Sequence, residues 1–182
     1  DYLESVEKIA KEIVAKNATE VDQTGAFPQA AIDALRDSGM LGLISAKSVG
    51  GLGQGPRAAA LVVERLAREC ASTAMVTCMH YTATAVIEKY GAEAVRKQLA
   101  QGNHLATLAF SEAGSRSHFW APVSTARRDQ NGICLNARKN WVTSAHHATL
   151  YVWSSKPFAA EGASTLWLVP SDSNGISIAG GF

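Results

Sequence analysis

The sequence predicts an α+β protein, with an α-helical domain over residues 1–103 followed by an antiparallel β domain over residues 104–182. Three observations predict it. Up to about residue 103, apolar residues recur at helical spacing within Ala- and Leu-rich stretches. Beyond that point come short runs rich in Val, Thr, Trp and Ile, separated by turn residues. Helices and strands are segregated along the chain rather than alternating, which opposes a βαβ arrangement.

The elements follow in order. Leu3, Val6, Ile9, Ile13 and Val14 form one apolar face of a first helix. "FPQAAIDALRDSG" is a second, with Pro28 suited to a first turn and Gly39 to a left-handed stop. A third covers about Arg57 to Arg68. The fourth starts near Ser72, a good N-cap, and runs to about Tyr90. "AEAVRKQLAQG" is the fifth. Strands are expected at about 105–110, 123–128, 132–135, 139–143, 149–154 and 165–169. "DQNG" supplies the Asn-Gly pair of a hairpin, and Leu135–Arg138 reads as a second tight turn. The last residues, "ISIAGGF", suggest a chain cut in the middle of a domain.

Composition narrows the function classes. A chain of 182 residues, 47% hydrophobic and 18% charged, has the makings of a globular core. The net charge is +1 and no Lys/Arg run exceeds two residues, so nothing favours nucleic acid or an anionic membrane as partner. Apolar runs are too short and broken to span a bilayer, and the amphipathic, mixed-charge start is unlike a signal peptide. Cys70, Cys78 and Cys134 are odd in number without C-x-x-C spacing. They read as reduced thiols of a cytoplasmic protein, not as a disulfide framework or zinc site.

Several motifs invite chemistry. "GGLGQG" at Gly50–Gly55 lacks the third glycine and the Gly-Lys-Ser/Thr of a phosphate loop, so its glycines are expected to pass a loop between helices. His146 and His147, if extended, point to opposite faces and have no third ligand at a suitable spacing, so no metal site is expected. His80 reads as a satisfied core or interface histidine. The loop "SEAGSRS", following the run "HLATLAF", admits two readings. Either Ser111 or Glu112 caps a local turn, or hydroxyls and backbone donors converge there on an anion or heterocycle. In "NARKNWVTSAHHA", Trp141 and Thr143 stand two apart on a predicted strand and share a face. They suit a flat polar ring, or else a core Trp with a Thr neighbour.

Together, "SEAGSRS" and "TARRDQNGICLNARKNWVTSAHHA" resemble the middle domain of the acyl-CoA dehydrogenase family of flavoproteins. "LRDSGMLGLISAKSVGGLGQG" and "VERLARECASTAMVTCMHYTA" are similar to its N-terminal helical domain. The resemblance implies a β-barrel-like middle domain, a C-terminal helical domain absent from this chain, and noncovalent FAD. It puts Phe110 and Ser111 at the flavin pyrimidine edge, Trp141 on the isoalloxazine, Thr143 at flavin N5 with Ser144 beside it, and Ser117 near the pyrophosphate or acyl-CoA tail. His118 and Trp120, with Ser117, would line the substrate pocket. The implied reaction is α,β-dehydrogenation of an acyl-CoA thioester with hydride transfer to N5. The implied partners are an acceptor such as an electron-transferring flavoprotein and further copies in a homotetramer. No catalytic residue is assigned in this chain, because the family's carboxylate base is expected beyond Phe182. Ala113, Ala137 and His118 depart from the family pattern. They leave open a flavin monooxygenase on the same fold acting on an aromatic or sulfur compound without CoA. The expected absence of the carboxylate-bearing domain leaves, as a further alternative, a non-catalytic fragment.

Overall fold

The computed structural model describes residues 1–115, 118, 120–130, 132–159 and 161–180. The first helical stretch is α1 (Tyr2–Ile9), a π turn (Ala10–Val14) and α2 (Ala15–Thr24). The wider π turn re-aims the apolar stripe. Val6, Ile9, Ala10 and Val14 are buried, whereas Leu3 is exposed and Ile13 only half-buried. α3 (Gln29–Asp37) begins on the Pro28 carbonyl and ends at Gly39, whose φ of 74° is the predicted left-handed stop.

The glycine-rich stretch folds back on itself. The N–H groups of Gly51, Leu52, Gly53 and Gln54 donate to the carbonyls of Ala46, Gly42, Ser45 and Leu43. They are therefore spent inside the loop and unavailable to a phosphate. A Cβ on Gly51 would lie 2.2 Å from the Ser45 carbonyl oxygen, so only glycine permits this approach.

α4 (Pro56–Ala67), α5 (Ala71–Tyr90) and α6 (Glu93–Ala100) follow. The cap of α5 is not the predicted Ser72 but Cys70, whose Sγ accepts from Thr73 N–H at 3.5 Å. Ser72 lies exposed within the first turn. α5 buries a broad face, from Thr73 to Ile87, because it packs against α4 and the sheet, while Met75, Thr82 and Ala85 lie on an exposed stripe.

His80 joins the two halves. Its ring is fully buried, with Nε2 2.9 Å from the Leu41 carbonyl and Nδ1 3.1 Å from Ala106 N–H. These partners require a neutral ring with its proton on Nε2.

The strands are β1 (Ala106–Ala109), β2 (Thr125–Asp129), β3 (Gly132–Asn136), β4 (Leu150–Ser155) and β5 (Thr165–Pro170). One sheet has the order β1-β4-β5, and β2-β3 is a separate antiparallel hairpin. The order of helices then strands is as predicted, but the pairing is mixed. β1 and β4 are parallel, and among the described residues no barrel closes. Parallel neighbours need a long crossover, which residues 110–149 supply.

One sheet face, with Ala106, Leu150 and Val152, packs on Ala83 and Ile87 of α5 and Leu99 of α6. The other, with Ala109 and Tyr151, is covered by Val142 and Ala148.

The strand expected at 139–143 does not form. Only an isolated bridge pairs Lys139 with Glu112, and Trp141 takes φ +56°, which ends extended structure. Nor is there a turn at Leu135–Arg138, since β3 continues through Asn136.

Burial lowers the His80 pKa from 6.5 to about 4, against the opposing hydrogen bond to Leu41. Between those values the unfolded chain binds the proton and the folded one does not. Stability is thus expected to be fully present above about pH 6.5 and to fall as pH drops toward about 4. The His80 share is on the order of 3 kcal/mol. Urea unfolding across this range should show the slope in the wild type and a much shallower one in His80→Gln. Equal slopes would contradict the assignment.

Candidate functional site

β1 and β4 run parallel, so their C-terminal ends lie side by side. At that end the chain leaves β1 through Phe110 and Ser111 and reaches Glu112. Glu112 is buried, and its carboxylate is fully engaged. Oε1 accepts from Lys139 Nζ at 2.5 Å, and Oε2 accepts from Val123 N–H at 2.6 Å and Ser124 N–H at 2.9 Å. Lys139 Nζ also donates to the Ser154 carbonyl at 2.6 Å and to Ser154 Oγ at 3.1 Å. The Phe110 carbonyl lies further off, at 3.5 Å. The two side chains are 3% and 2% exposed.

Burial works against both charges. It opposes ionisation of Glu112, but hydrogen bonds from Lys139, Ser124 and Val123 outweigh it and hold the carboxyl below its usual range. Burial also pulls the Lys139 ammonium down, and Glu112 partly restores it. Glu112 therefore caps backbone, as one sequence reading allowed, but at residues 123 and 124 rather than locally.

Ser111 sits at the edge of this cluster. Its carbonyl accepts from Asn140 N–H at 2.9 Å. Among the described residues its hydroxyl and N–H have no hydrogen-bond partner. Asn140 leads directly into Trp141, whose side chain is 93% exposed and whose φ is +56°. A non-glycine residue in that region is strained and needs support from its surroundings. Exposure rules out the core-tryptophan reading.

Trp141 and Thr143 are not the same-face strand pair that spacing predicted, because the chain coils after Trp141. Thr143 is half-buried and opens a turn closed by the N–H groups of His147 and Ala148 on the Ser144 carbonyl, at 2.9 and 2.8 Å. Ser144 is buried at φ +54°, with its hydroxyl donating to the Thr143 carbonyl at 2.7 Å. Its side chain therefore serves the turn.

The fold thus brings Ser111 against the segment carrying Trp141, Thr143 and Ser144. His118 and Trp120 are brought to each other instead, stacked with centroids 4.9 Å apart and Trp120 56% exposed. Ser117 lies outside the described residues.

His146 and His147 occupy the turn rather than an extended segment. His146 Nε2 lies 3.1 Å from the Gly180 carbonyl, and His147 stacks on Phe27 at 3.9 Å. Among the described residues no group of three or more potential ligands is placed to hold a metal ion. Lys139 is the residue that sequence reasoning passed over. Its signal was Glu112 itself, a lone carboxylate after an apolar run, which requires a cation if it is buried.

A family model for the acyl-CoA dehydrogenase N-terminal domain matches residues 1–102, and one for the middle domain matches residues 107–180. The chain belongs to the acyl-CoA dehydrogenase family. It is 29% identical over 180 residues to a probable acyl-CoA dehydrogenase, fadE25, of Mycobacterium leprae, covering 96% of this chain and 46% of that protein. The chain thus spans about half the length of such relatives.

Solved acyl-CoA dehydrogenase folds superpose closely. Butyryl-CoA dehydrogenase from Megasphaera elsdenii gives a TM-score of 0.83 at 22% identity, over 96% of this chain and 49% of that one. Methanesulfinate monooxygenase MsuC from Pseudomonas fluorescens gives 0.78 at 23%, over 97% and 45%. FMN-bound TdsC from Paenibacillus sp. A11-2 gives 0.81 at 22%, over 95% and 44%. Among the described residues no helix is long and apolar enough to cross a membrane.

Because the Trp141 ring is almost wholly exposed, Trp141→Ala is expected to change unfolding free energy by no more than about 0.5 kcal/mol. Chemical denaturation measures this, and a loss above about 2 kcal/mol would restore a packing role.

Proposed function

We propose that the protein is an FAD-dependent oxidoreductase that dehydrogenates an acyl-CoA thioester between its α and β carbons, within fatty-acid metabolism. The observation that carries the reading is the exposed Trp141 ring, held at positive φ one residue from the hydrogen bond to Ser111. The donor set fits a flavin. An exposed indole offers a stacking plane, and Ser111 offers an unengaged hydroxyl and N–H beside it. A bound flavin would supply the electron-accepting chemistry.

In this reading Ser111 donates to the pyrimidine edge, with Phe110 contributing backbone beside it. Trp141 packs on the ring and Thr143 donates near N5. Ser144 holds the turn, and Ser117 meets the pyrophosphate or the acyl-CoA tail. Donors fixed in advance at a position where negative charge develops stabilise it without reorganisation. No residue of this chain is assigned as the base, and Glu112 is not a candidate because it is buried with both carboxylate oxygens already bonded to Lys139, Val123 and Ser124. Residues 1–103 and 104–182 act as the helical and β domains. A cytoplasmic homotetramer passing electrons to an electron-transferring flavoprotein completes the proposal.

A second reading has one observation in its favour. The stacked pair His118 and Trp120 puts two exposed rings in the loop after Ser115, where they would line a pocket suited to an aromatic or sulfur compound. That would be flavin monooxygenase chemistry without CoA.

The test is an absorption spectrum of the full-length protein, followed by anaerobic titration with a panel of acyl-CoAs. Bleaching of the flavin band by an acyl-CoA is the expected result. Bound flavin that no acyl-CoA bleaches would favour the monooxygenase, and failure to take up supplied FAD or FMN would overturn both. Trp141→Ala is expected to weaken flavin binding about tenfold or more, read by fluorescence titration. Thr143→Ala should slow flavin reduction about tenfold to a hundredfold in stopped flow, with flavin still bound.

A further inference from the structure

We propose that the buried Glu112–Lys139 pair is a positioning device that sets the register of Ser111 against Trp141; this rests on the flavin reading above. Ion pairs this buried rarely exist for stability, since apolar replacements of both partners are often as stable. This one is fully satisfied. One Glu112 oxygen takes the ammonium and the other takes two backbone N–H groups, while Lys139 spends its remaining donors on Ser154. The pair therefore ties four segments to one point: residue 112 after β1, residues 123 and 124 before β2, residue 139, and the end of β4.

Backbone pairing is sparse where it matters. Residues 111–112 meet 139–140 through one isolated bridge and the single Asn140-to-Ser111 hydrogen bond. So short a ladder specifies register weakly. A slip of one residue at this bridge would move the segment leading into Trp141 by about 3.3 Å relative to Ser111. The buried pair forbids that slip, because any other register strands a charge away from its partner in the interior. Glu112 and Lys139 touch neither ring nor substrate in this scheme; they act through Ser111 and Trp141.

The test uses the full-length protein with Glu112→Gln, Lys139→Met and the double variant. Readouts are the melting temperature without added flavin, the flavin Kd, and the visible circular dichroism of bound flavin. Each single variant should melt lower than the double, because each leaves one buried group unpaired. The double variant should fold yet bind flavin about tenfold or more weakly, with an altered visible dichroism, since small misplacements at a site are felt strongly. A merely structural pair would move the melting temperature alone. A folded double variant with wild-type flavin Kd and dichroism therefore overturns the proposal. If the double variant does not fold, Glu112→Asp decides. It keeps the charge one methylene short, and unchanged flavin binding by that variant overturns the proposal equally. Wild-type protein that binds no flavin removes the underlying reading and this inference together. Wild-type binding with unaffected variants removes the inference only.

Discussion

A lysine side chain only 3% exposed to water is the constraint around which the β part of this chain is arranged. An unpaired charge at that depth would be prohibitively unfavourable, so every donor must find an acceptor. The acceptors come from Glu112 and Ser154, which are far from Lys139 in sequence. Satisfying one side chain thus draws together the C-terminal ends of two parallel strands, the approach to the β2-β3 hairpin and the segment carrying Trp141. The hairpin shares no sheet with β1-β4-β5. It is held through Glu112 and by Lys156 N–H on the Ser124 carbonyl at 2.9 Å.

His80 performs the matching task toward the helices. One imidazole bonds the loop after α3 and the first residue of β1 at once, from the middle of a helix. Tyr81 adds a hydrogen bond to the Met40 carbonyl at 2.8 Å. α5 can therefore bury its broad face against that loop because the loop carbonyls it covers find partners on the helix. The two devices differ in chemistry. The histidine is kept neutral by burial, whereas the Glu–Lys pair stays charged because each partner answers the other.

The chemistry proposed for the chain sits just outside these two anchors. Ser111 and Trp141 adjoin the buried pair in sequence and keep polar or aromatic surface unspent. Rigid interior and unspent rim are what a binding site needs: the rim can be accurate only if what lies beneath it cannot shift.

Periodicity located the helices because a buried face repeats every three or four residues whatever it packs against. The strands of 106–109, 150–155 and 165–170 were legible for the same kind of reason, and the family of the chain was legible in two motifs. Spacing failed where a single backbone angle decided the outcome. At Trp141 positive φ turned a predicted strand into a coil, and at α5 a thiol displaced a serine as cap. The parallel pairing of β1 and β4 was likewise invisible, because the order of elements does not state which strand lies beside which. The sequence by itself determined which residues are apolar, which segments can be helix or strand, and that Ser111 and Glu112 stand where a capped turn or a binding loop would be. Only the tertiary structure decided that Glu112 pairs with Lys139, that Trp141 faces solvent and that His80 spans the two halves. Each of those depends on a contact between residues 26 or more apart, or on how the chain around it coils, and no local pattern encodes either.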